Sequence, residues 1–212
     1  MQLMKPHGTL VRGILLSAIL VALPLSVKWL RLTVALKQAP SYAKGSPTAG
    51  VEILEFSDFQ CPACMRAQPD LAQLLARHPG QVLVRFYHFP LRGHKWALPA
   101  HLSAECAGQQ GKFWTYHDRL YQEQATWSAA EDAPQLLLRY AQEAGADMEK
   151  FVSCLRDPAT ERTVMAARKA GEQRSIQSTP TFFVNGKMFV GDGGLRTEGV
   201  AYVESLLKEK KS

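Results

Sequence analysis

The chain has 212 residues, 46% of them hydrophobic, and a formal net charge of +6. This length accommodates one domain with a substantial core and an additional segment. The excess positive charge lies in residues 1–43, which hold five basic and no acidic side chains, whereas the rest of the chain has a net charge of +1. This distribution leaves no basic face for phosphate contacts, so we expect no nucleic-acid binding.

Residues 1–38 are predicted to be a signal or membrane-anchor segment. Gly13–Val27 contains no charged residue and follows Lys5 and Arg12, which is the order of basic and apolar regions in an export signal. The apolar stretch is short for a spanning helix of about 20 residues, and the small residues suited to cleavage, Ser41–Ala43, lie far beyond it. We favour an uncleaved anchor over a cleaved signal. Both place the folded part outside the cytoplasm, where disulfides persist.

Residues 39–50 are predicted to be a linker, because small residues and two prolines dominate them. The domain is expected to occupy residues 51–212. Alternating apolar residues from Val51 predict a first strand, followed by a helix over residues 60–77. Gln81–Phe89 is apolar and aromatic enough to be a central second strand.

Helical periodicity then dominates residues 92–175, which we interpret as a helical insertion. Asn185–Gly186 is a strong two-residue turn signal, and it predicts a hairpin between the flanking strands 181–184 and 187–190. A closing helix over Arg196–Lys208 follows a glycine-rich loop. This order of elements predicts an α/β sandwich with a helical insertion. The insertion helices are expected at residues 94–109, 112–123, 133–143, 147–156 and 159–174.

Cys61 and Cys64 lie where the first strand leads into the first turn of the helix. The unpaired N–H groups and the positive dipole end of a first turn stabilise a thiolate, so a cysteine there has a lowered pKa. The three-residue spacing lets Cys64 reach back to form a disulfide with Cys61. Pro62 suits the first helical position, because its missing N–H would be unpaired there. We therefore expect Cys61 to be reactive.

A C-x-x-C pair also serves zinc sites, haem attachment and structural disulfides. Met65 rather than a histidine follows the second cysteine, which excludes covalent haem attachment by that motif. No second close pair of ligands is available for a four-ligand zinc site, so we predict no metal site. The strand leading into the cysteines favours a redox motif like that of thioredoxin, with metal binding or a structural disulfide as alternatives. Four dispersed histidines are expected to be structural: His88, His94, His101 and His117.

Cys106 and Cys154 lie in two predicted insertion helices. Buried free thiols are one interpretation, because cysteine is a common core residue. An even cysteine count in an oxidising compartment favours a second, structural disulfide between them.

Four stretches carry a family resemblance: EFSDFQCPAC, FYHFPL, AECAGQQGKFWTYHDRLY and STPTFFVNGK. In combination they resemble the DsbA-like thiol-disulfide oxidoreductases of the thioredoxin superfamily, over about residues 51–207. The resemblance implies a thioredoxin-like α/β fold with a helical insertion between the second strand and the cis-proline strand.

The resemblance also implies roles for individual residues. Cys61 would be the solvent-facing nucleophile that forms a mixed disulfide with a substrate thiol, and Cys64 the buried partner that resolves it. Pro180 matches the family's cis-proline and would expose the backbone of Thr179 for pairing with an extended substrate. Pro62 and Ala63, between the cysteines, would complete the substrate-binding surface.

Two further positions, Glu55 and Ala63, bear on the pKa values of the cysteines. Related proteins keep a buried acid at the position of Glu55, where its raised pKa would let it exchange a proton with Cys64. Glu55 shares strand parity with Val51 and Ile53, which favours an apolar face, although a solvated edge position is the alternative. Strongly oxidising members have histidine where this chain has Ala63, so we expect the Cys61 pKa to be less depressed here.

The sequence therefore predicts a thiol-disulfide oxidoreductase that donates the Cys61–Cys64 disulfide to exported proteins during oxidative folding. The resemblance implies no cofactor, reduced exported proteins as substrates and a quinone-linked membrane protein for reoxidation. We expect a monomer held at the membrane by its N-terminal segment. The alternatives are an extracytoplasmic reductase or isomerase and, from another class, a non-enzymatic copper or zinc carrier. Isomerases of this superfamily usually have an N-terminal dimerisation domain, for which the linker leaves no room.

Overall fold

The computed structural model describes residues 39–209, and the predicted signal or anchor segment at residues 1–38 lies outside them. From Pro40 onward the described residues form one compact unit. They contain a five-stranded sheet with the order β1-β3-β2-β4-β5, in which β2 and β3 are parallel and every other neighbouring pair is antiparallel. The strands are β1 Tyr42–Gly45, β2 Val51–Ser57, β3 Val82–His88, β4 Thr181–Val184 and β5 Lys187–Val190.

Helices cover the sheet and fill the connection between β3 and β4. The first helix follows β2, and six helices lie between β3 and β4. A four-residue helix, a π-helix and a last α-helix follow β5. No helix in residues 39–209 has the length and apolar character needed to cross a membrane. The helices are α1 Pro62–Arg77, α2 Ala97–Gly108, α3 Phe113–Gln122, α4 Gln124–Ser128, α5 Ala133–Glu143, α6 Met148–Arg156, α7 Pro158–Glu172, α8 Gly191–Gly194, a π-helix Leu195–Gly199 and α9 Val200–Glu209.

This arrangement confirms the predicted α/β fold with a helical insertion between the second predicted strand and the strand after Pro180. The hairpin strands β4 and β5 have the predicted bounds, and the turn residue Asn185 has a φ of 45°. Asparagine tolerates this left-handed conformation better than most residues, which is why Asn-Gly signals the turn. The short helix α4 was not predicted. The predicted glycine-rich loop instead forms α8 and leads through the π-helix into α9.

The linker prediction was wrong for Tyr42–Gly45, because these residues form β1 and pair antiparallel with the edge of β3. The Tyr42 ring stacks on Phe113 with a centroid distance of 3.7 Å, and its hydroxyl donates to Glu105 at 2.8 Å. Both contacts come from the helical insertion, far along the chain. Local composition therefore gave no sign of the strand.

β2 is the central strand of the sheet, flanked by β3 and β4. Five of its seven residues are buried, and the other two, Glu52 and Leu54, are partly exposed. One apolar cluster joins α1, α9 and the sheet, and a second joins the insertion helices to the cysteine pair. The carboxyl end of β2 thus delivers the loop with Cys61 into the second cluster.

Cys106 of α2 and Cys154 of α6 form a disulfide, with a Cα–Cα distance of 5.7 Å and 48 residues between them in sequence. Cys106 is fully buried among the insertion helices. The bond therefore links two helices of the insertion covalently.

We expect the double variant Cys106→Ala/Cys154→Ala to lose about 2–4 kcal/mol of unfolding free energy, because the bond restricts a long loop in the unfolded chain. Urea unfolding of the full chain followed by circular dichroism measures this loss. Alkylation without reductant, followed by intact-mass analysis, checks the bond itself. Labels on both Cys106 and Cys154 would contradict it.

Candidate active site

The cysteine pair lies at the start of α1, where β2 ends and a three-residue loop intervenes. Cys61 is the N-cap residue and Pro62 the first helical residue. The N–H groups of Cys64 and Met65 donate to the Cys61 carbonyl oxygen at 3.1 and 3.2 Å, which closes the first turn around it. Both cysteines are thiols in this structure. The Cys61 side chain is only 7% exposed, less open than expected for a solvent-facing nucleophile, and Cys64 is fully buried.

The pKa values of the two thiols are shifted in opposite directions. A hydrogen bond with Cys64 lowers the pKa of Cys61 to about 5; burial opposes this, whereas the Thr179 side chain and the N–H groups of Cys64 and Ala63 support it. Burial raises the pKa of Cys64, and so do its hydrogen bond with Cys61 and the charge on Cys61. Ala63 therefore contributes through its backbone alone. At neutral pH the pair is a thiolate beside a thiol.

The segment before β4 reaches the same point from across the sheet. The peptide bond between Thr179 and Pro180 is cis. The Cys61 Sγ lies 3.4 Å from the Thr179 carbonyl oxygen, to which the thiol form donates. The structure thus brings together Cys61, Cys64, Thr179 and Pro180. The spacing of the cysteines had predicted the first pair, and resemblance alone had added Thr179 and Pro180.

Glu55 lies in the middle of β2 and is fully buried, not at a solvated edge. Gln68 of α1 donates to its Oε1 at 2.8 Å. Burial raises the pKa of Glu55, although the charge of His117 and the neighbouring Ser57 and Gln68 side chains oppose this. Gln68 Nε2 also donates to the Cys64 carbonyl oxygen at 3.2 Å, so one amide links the acid to the turn that holds the second cysteine.

Asp58 lies in the loop between β2 and Cys61 and is fully buried. Its N–H donates to the Cys64 Sγ at 3.4 Å, and its carboxylate accepts from the Leu91 N–H at 2.9 Å and contacts His94 Nδ1 at 2.7 Å. Burial opposes ionisation of Asp58, but its contact with His101 and two backbone N–H groups lower its pKa. Asp58 is thus a buried carboxylate that orders the loop before Cys61.

Gln124 of α4 also holds this loop, and sequence reasoning missed it. Its Nε2 donates to the Phe59 carbonyl oxygen at 2.7 Å and to the Cys61 carbonyl oxygen at 3.0 Å. The helical insertion therefore positions the nucleophile directly. A lone glutamine in a helix that periodicity did not predict carries no signal of this role.

The histidines form hydrogen-bonded contacts within the core. His88 Nδ1 lies 2.7 Å from His101 Nδ1, and His88 Nε2 lies 3.4 Å from a Glu105 oxygen. Burial lowers the pKa of His101 to about 4, so it is neutral at pH 7. In the described part of the chain, no three histidine, cysteine or acidic side chains are arranged to hold a metal ion.

A family model described as Thioredoxin matches residues 37–200. The chain resembles the solved structure of BdbD from Bacillus subtilis, with 24% identity, a TM-score of 0.69 and coverage of 78% of this chain and 92% of that one. It also resembles the thiol-disulfide exchange protein alpha-DsbA2 from Wolbachia pipientis, with 20% identity, a TM-score of 0.71 and coverage of 85% and 94%. These likenesses confirm the DsbA-like thioredoxin fold that the sequence predicted.

Curated relatives include a protein named Na(+)/H(+) antiporter NhaA 3 from Salinispora tropica, with 34% identity over 151 residues, which are 71% of this chain and 22% of the antiporter. A second antiporter of that name, from Salinispora arenicola, matches at the same identity and coverage. The chain thus spans about a fifth of the length of these relatives. Their names indicate nothing about transport by this chain.

We expect the Cys61 thiol of the reduced full chain to titrate with a pKa of about 5, because its thiolate accepts the hydrogen bonds described above. Absorbance of the thiolate near 240 nm, followed against pH, measures this directly. The variant Cys61→Ser is the control, and its absorbance should not rise in this range because the pKa of Cys64 is raised. A midpoint in the ordinary range near 8.5 for the unmodified chain would contradict the assignment.

Proposed function

The chain belongs to the thioredoxin family, and from that premise we propose that it is a thiol-disulfide oxidoreductase that donates its Cys61–Cys64 disulfide to exported proteins during oxidative folding. The single observation that carries the proposal is the pairing of a low-pKa Cys61 with a buried, high-pKa Cys64 beside the Thr179 carbonyl group. A nucleophile and a buried partner of this kind suit disulfide exchange rather than a structural bond.

The first half of the reaction breaks the protein disulfide. A substrate thiolate attacks the Cys61 Sγ, the bond between the two cysteines breaks, and its electron pair goes to the Cys64 Sγ. Cys64 then takes a proton, for which Glu55 is the buried donor. The product of this half is a mixed disulfide between the substrate and Cys61.

The second half releases the oxidised substrate. A second substrate thiolate attacks the substrate sulfur of the mixed disulfide, and Cys61 leaves as a thiolate. A low pKa makes Cys61 a good leaving group, because the leaving thiolate is stable. The same stability favours the reduced protein, so its disulfide is the stronger oxidant and electrons flow from substrate to protein.

Substrate would bind over the surface formed by Pro62, Ala63, Thr179 and Pro180. The backbone of Thr179 next to Cys61 suits an extended peptide, which presents its own main-chain groups for hydrogen bonding. Recognition through the main chain is tolerant of side chains, as expected for an enzyme that acts on many unfolded proteins. The chemistry needs no cofactor on this chain.

We further propose that the domain works outside the cytoplasm, held there or exported by residues 1–38, with the compact unit from Pro40 onward as the catalytic domain. The related periplasmic thioredoxin-like protein from Salmonella enterica serovar Typhimurium shares 20% identity and a TM-score of 0.65 with this chain. An oxidising compartment suits the bond between Cys106 and Cys154. Reoxidation would require a membrane partner, for which a quinone-linked protein is proposed, and the chain would act as a monomer.

Trapping experiments with the full chain test the reaction. Cys64→Ser, activated at Cys61 with an aromatic disulfide reagent, should form a stable mixed disulfide with an unfolded protein that has a single thiol, because neither Cys64 nor a second substrate thiol is present to break it. Cys61→Ser should form none and should lose at least about 100-fold of the rate of substrate oxidation. Gel analysis without reductant, with and without later reduction, measures both. Substrate oxidation by Cys61→Ser at the unmodified rate would overturn the proposal.

A further inference from the structure

Glu55 poses a problem of proton access that the reaction scheme leaves open. If Glu55 gives a proton to Cys64 when the disulfide is reduced, it is left as a carboxylate. Its side chain is fully buried within the central strand, and burial raises its pKa, which favours uptake of a new proton while the protein is reduced. A proton from solvent can reach it only by a route between this carboxyl group and the surface.

We propose that His117 and Asp118 of α3 relay protons between solvent and Glu55 through a cavity that all three residues line. This inference rests on the proposed function and deepens it by assigning a path for the proton. His117 acts through Glu55 and does not touch the reacting sulfurs, so its role is that of a positioning and relay residue.

The cavity lies between α1, α3 and the sheet and has a volume of about 440 Å³. This volume holds several water molecules, each of which occupies roughly 30 Å³ in the liquid. Glu55 and His117 are buried members of its lining, whereas the Lys44 and Asp118 side chains are 43% and 49% exposed and form an ion pair with an N–O distance of 3.5 Å. The cavity therefore extends from the buried acid to the protein surface.

Two buried polar atoms in this lining lack protein partners. Among residues 39–209, neither Glu55 Oε2 nor His117 Nε2 has a hydrogen-bonding partner. The Ser57 hydroxyl forms its hydrogen bond with Tyr121 instead, at 3.0 Å. Burying a polar atom without a partner is costly, and buried polar groups are normally satisfied by protein or ordered water. Neither atom has accessible surface in this structure, so cavity water reaches them only as the lining side chains move; water there would satisfy both atoms and connect them.

The His117–Asp118 pair suits the transfer of a proton. His117 Nδ1 lies 2.8 Å from Asp118 Oδ1, so Nδ1–H donates to the carboxylate and Nε2 is left to accept. Burial opposes ionisation of Asp118, but the hydrogen bond and charge of His117 and the charge of Lys44 lower its pKa. Asp118 is thus an anion at neutral pH and stabilises an imidazolium. Histidine is the side chain best suited to gain and lose a proton near neutral pH.

Other titratable groups around this path are poorly suited to carry the proton. Burial raises the pKa of Tyr121, which faces Glu55 from α3, so the phenol stays protonated. Burial lowers the pKa of His88, which faces His117 from β3, so this imidazole stays neutral. Cys64 is the group served by Glu55, and the exposed Lys44 stands at the cavity mouth. Among the described residues that line the cavity, His117 is therefore the titratable side chain left to carry the proton between the cavity mouth and Glu55.

Protons balance over the catalytic cycle. Reduction of the protein disulfide by a substrate dithiol yields a Cys61 thiolate, a Cys64 thiol, the substrate disulfide and one proton released to solvent. The Cys64 proton comes from Glu55. His117 then takes a proton from solvent at Nε2, holds it against Asp118 and passes it through cavity water to Glu55. On reoxidation of the protein the same path runs outward.

Chemical rescue in the full chain tests the relay. In weakly buffered solution, His117→Ala should slow reduction of the oxidised protein by a dithiol peptide about tenfold. This is less than the roughly 100-fold or more typical of a group that acts on the reacting atoms, because His117 acts through Glu55. Added imidazole should restore most of that rate, because it can occupy the vacated volume and carry the proton. The equilibrium reduction potential should stay unchanged, since the relay alters the rate and not the end states.

Two further variants keep the test decisive. Asp118→Asn alters a half-exposed side chain and should give a smaller loss, even if His117→Ala fails to fold. His78→Ala is the matched control, because His78 forms a similar pair with Glu204 at 2.9 Å on another surface and should affect neither the rate nor its response to imidazole.

The possible outcomes separate the two proposals. Unmodified rates in both relay variants, or a loss that imidazole does not restore, would overturn the relay and leave disulfide exchange intact. Absence of any exchange by the unmodified chain would instead overturn the proposed function.

Discussion

The hydrogen bond from the Cys64 thiol to the Cys61 thiolate is the interaction on which the rest of the site depends. It is the largest contribution to the lowered pKa of Cys61, and it operates against the cost of burial. Each unit of pKa depression stabilises the thiolate by about 1.4 kcal/mol, which corresponds to about 30 mV in the potential of a two-electron couple. The fold around the pair therefore sets its oxidising strength, without a charged side chain at position 63.

Both halves of the molecule hold this interaction in place. The thioredoxin-like half contributes the N-terminus of α1, the loop carboxylate of Asp58 and the cis-peptide segment that ends at Pro180. The insertion contributes Gln124, whose amide fixes the carbonyl groups of the cysteine loop. Because each element contacts the pair from a different direction, the geometry does not rely on a flexible loop. Such support from packed elements is what preorganises a reactive group.

Local sequence signals predicted the parts of the structure that local interactions determine. Cys61 at the start of a helix, the Asn185–Gly186 turn and the flanking strands depend on neighbouring residues, and they were predicted with their observed bounds or nearly so. β1 and Gln124 depend on partners far along the chain, such as the contact of Tyr42 with Glu105. A single sequence shows no sign of such pairs. The burial of Glu55 lies between these cases, since strand parity indicated the face but not how completely it is covered.

The equilibrium reduction potential of the Cys61–Cys64 pair in the full chain, measured in glutathione buffers, tests the central claim most directly. The stabilised thiolate predicts a potential between about −180 and −120 mV, the range from protein disulfide isomerase to the strong oxidant DsbA. A potential near −270 mV, like that of thioredoxin, would contradict the account. The dithiol would then be the working form, and the protein would act as a reductase.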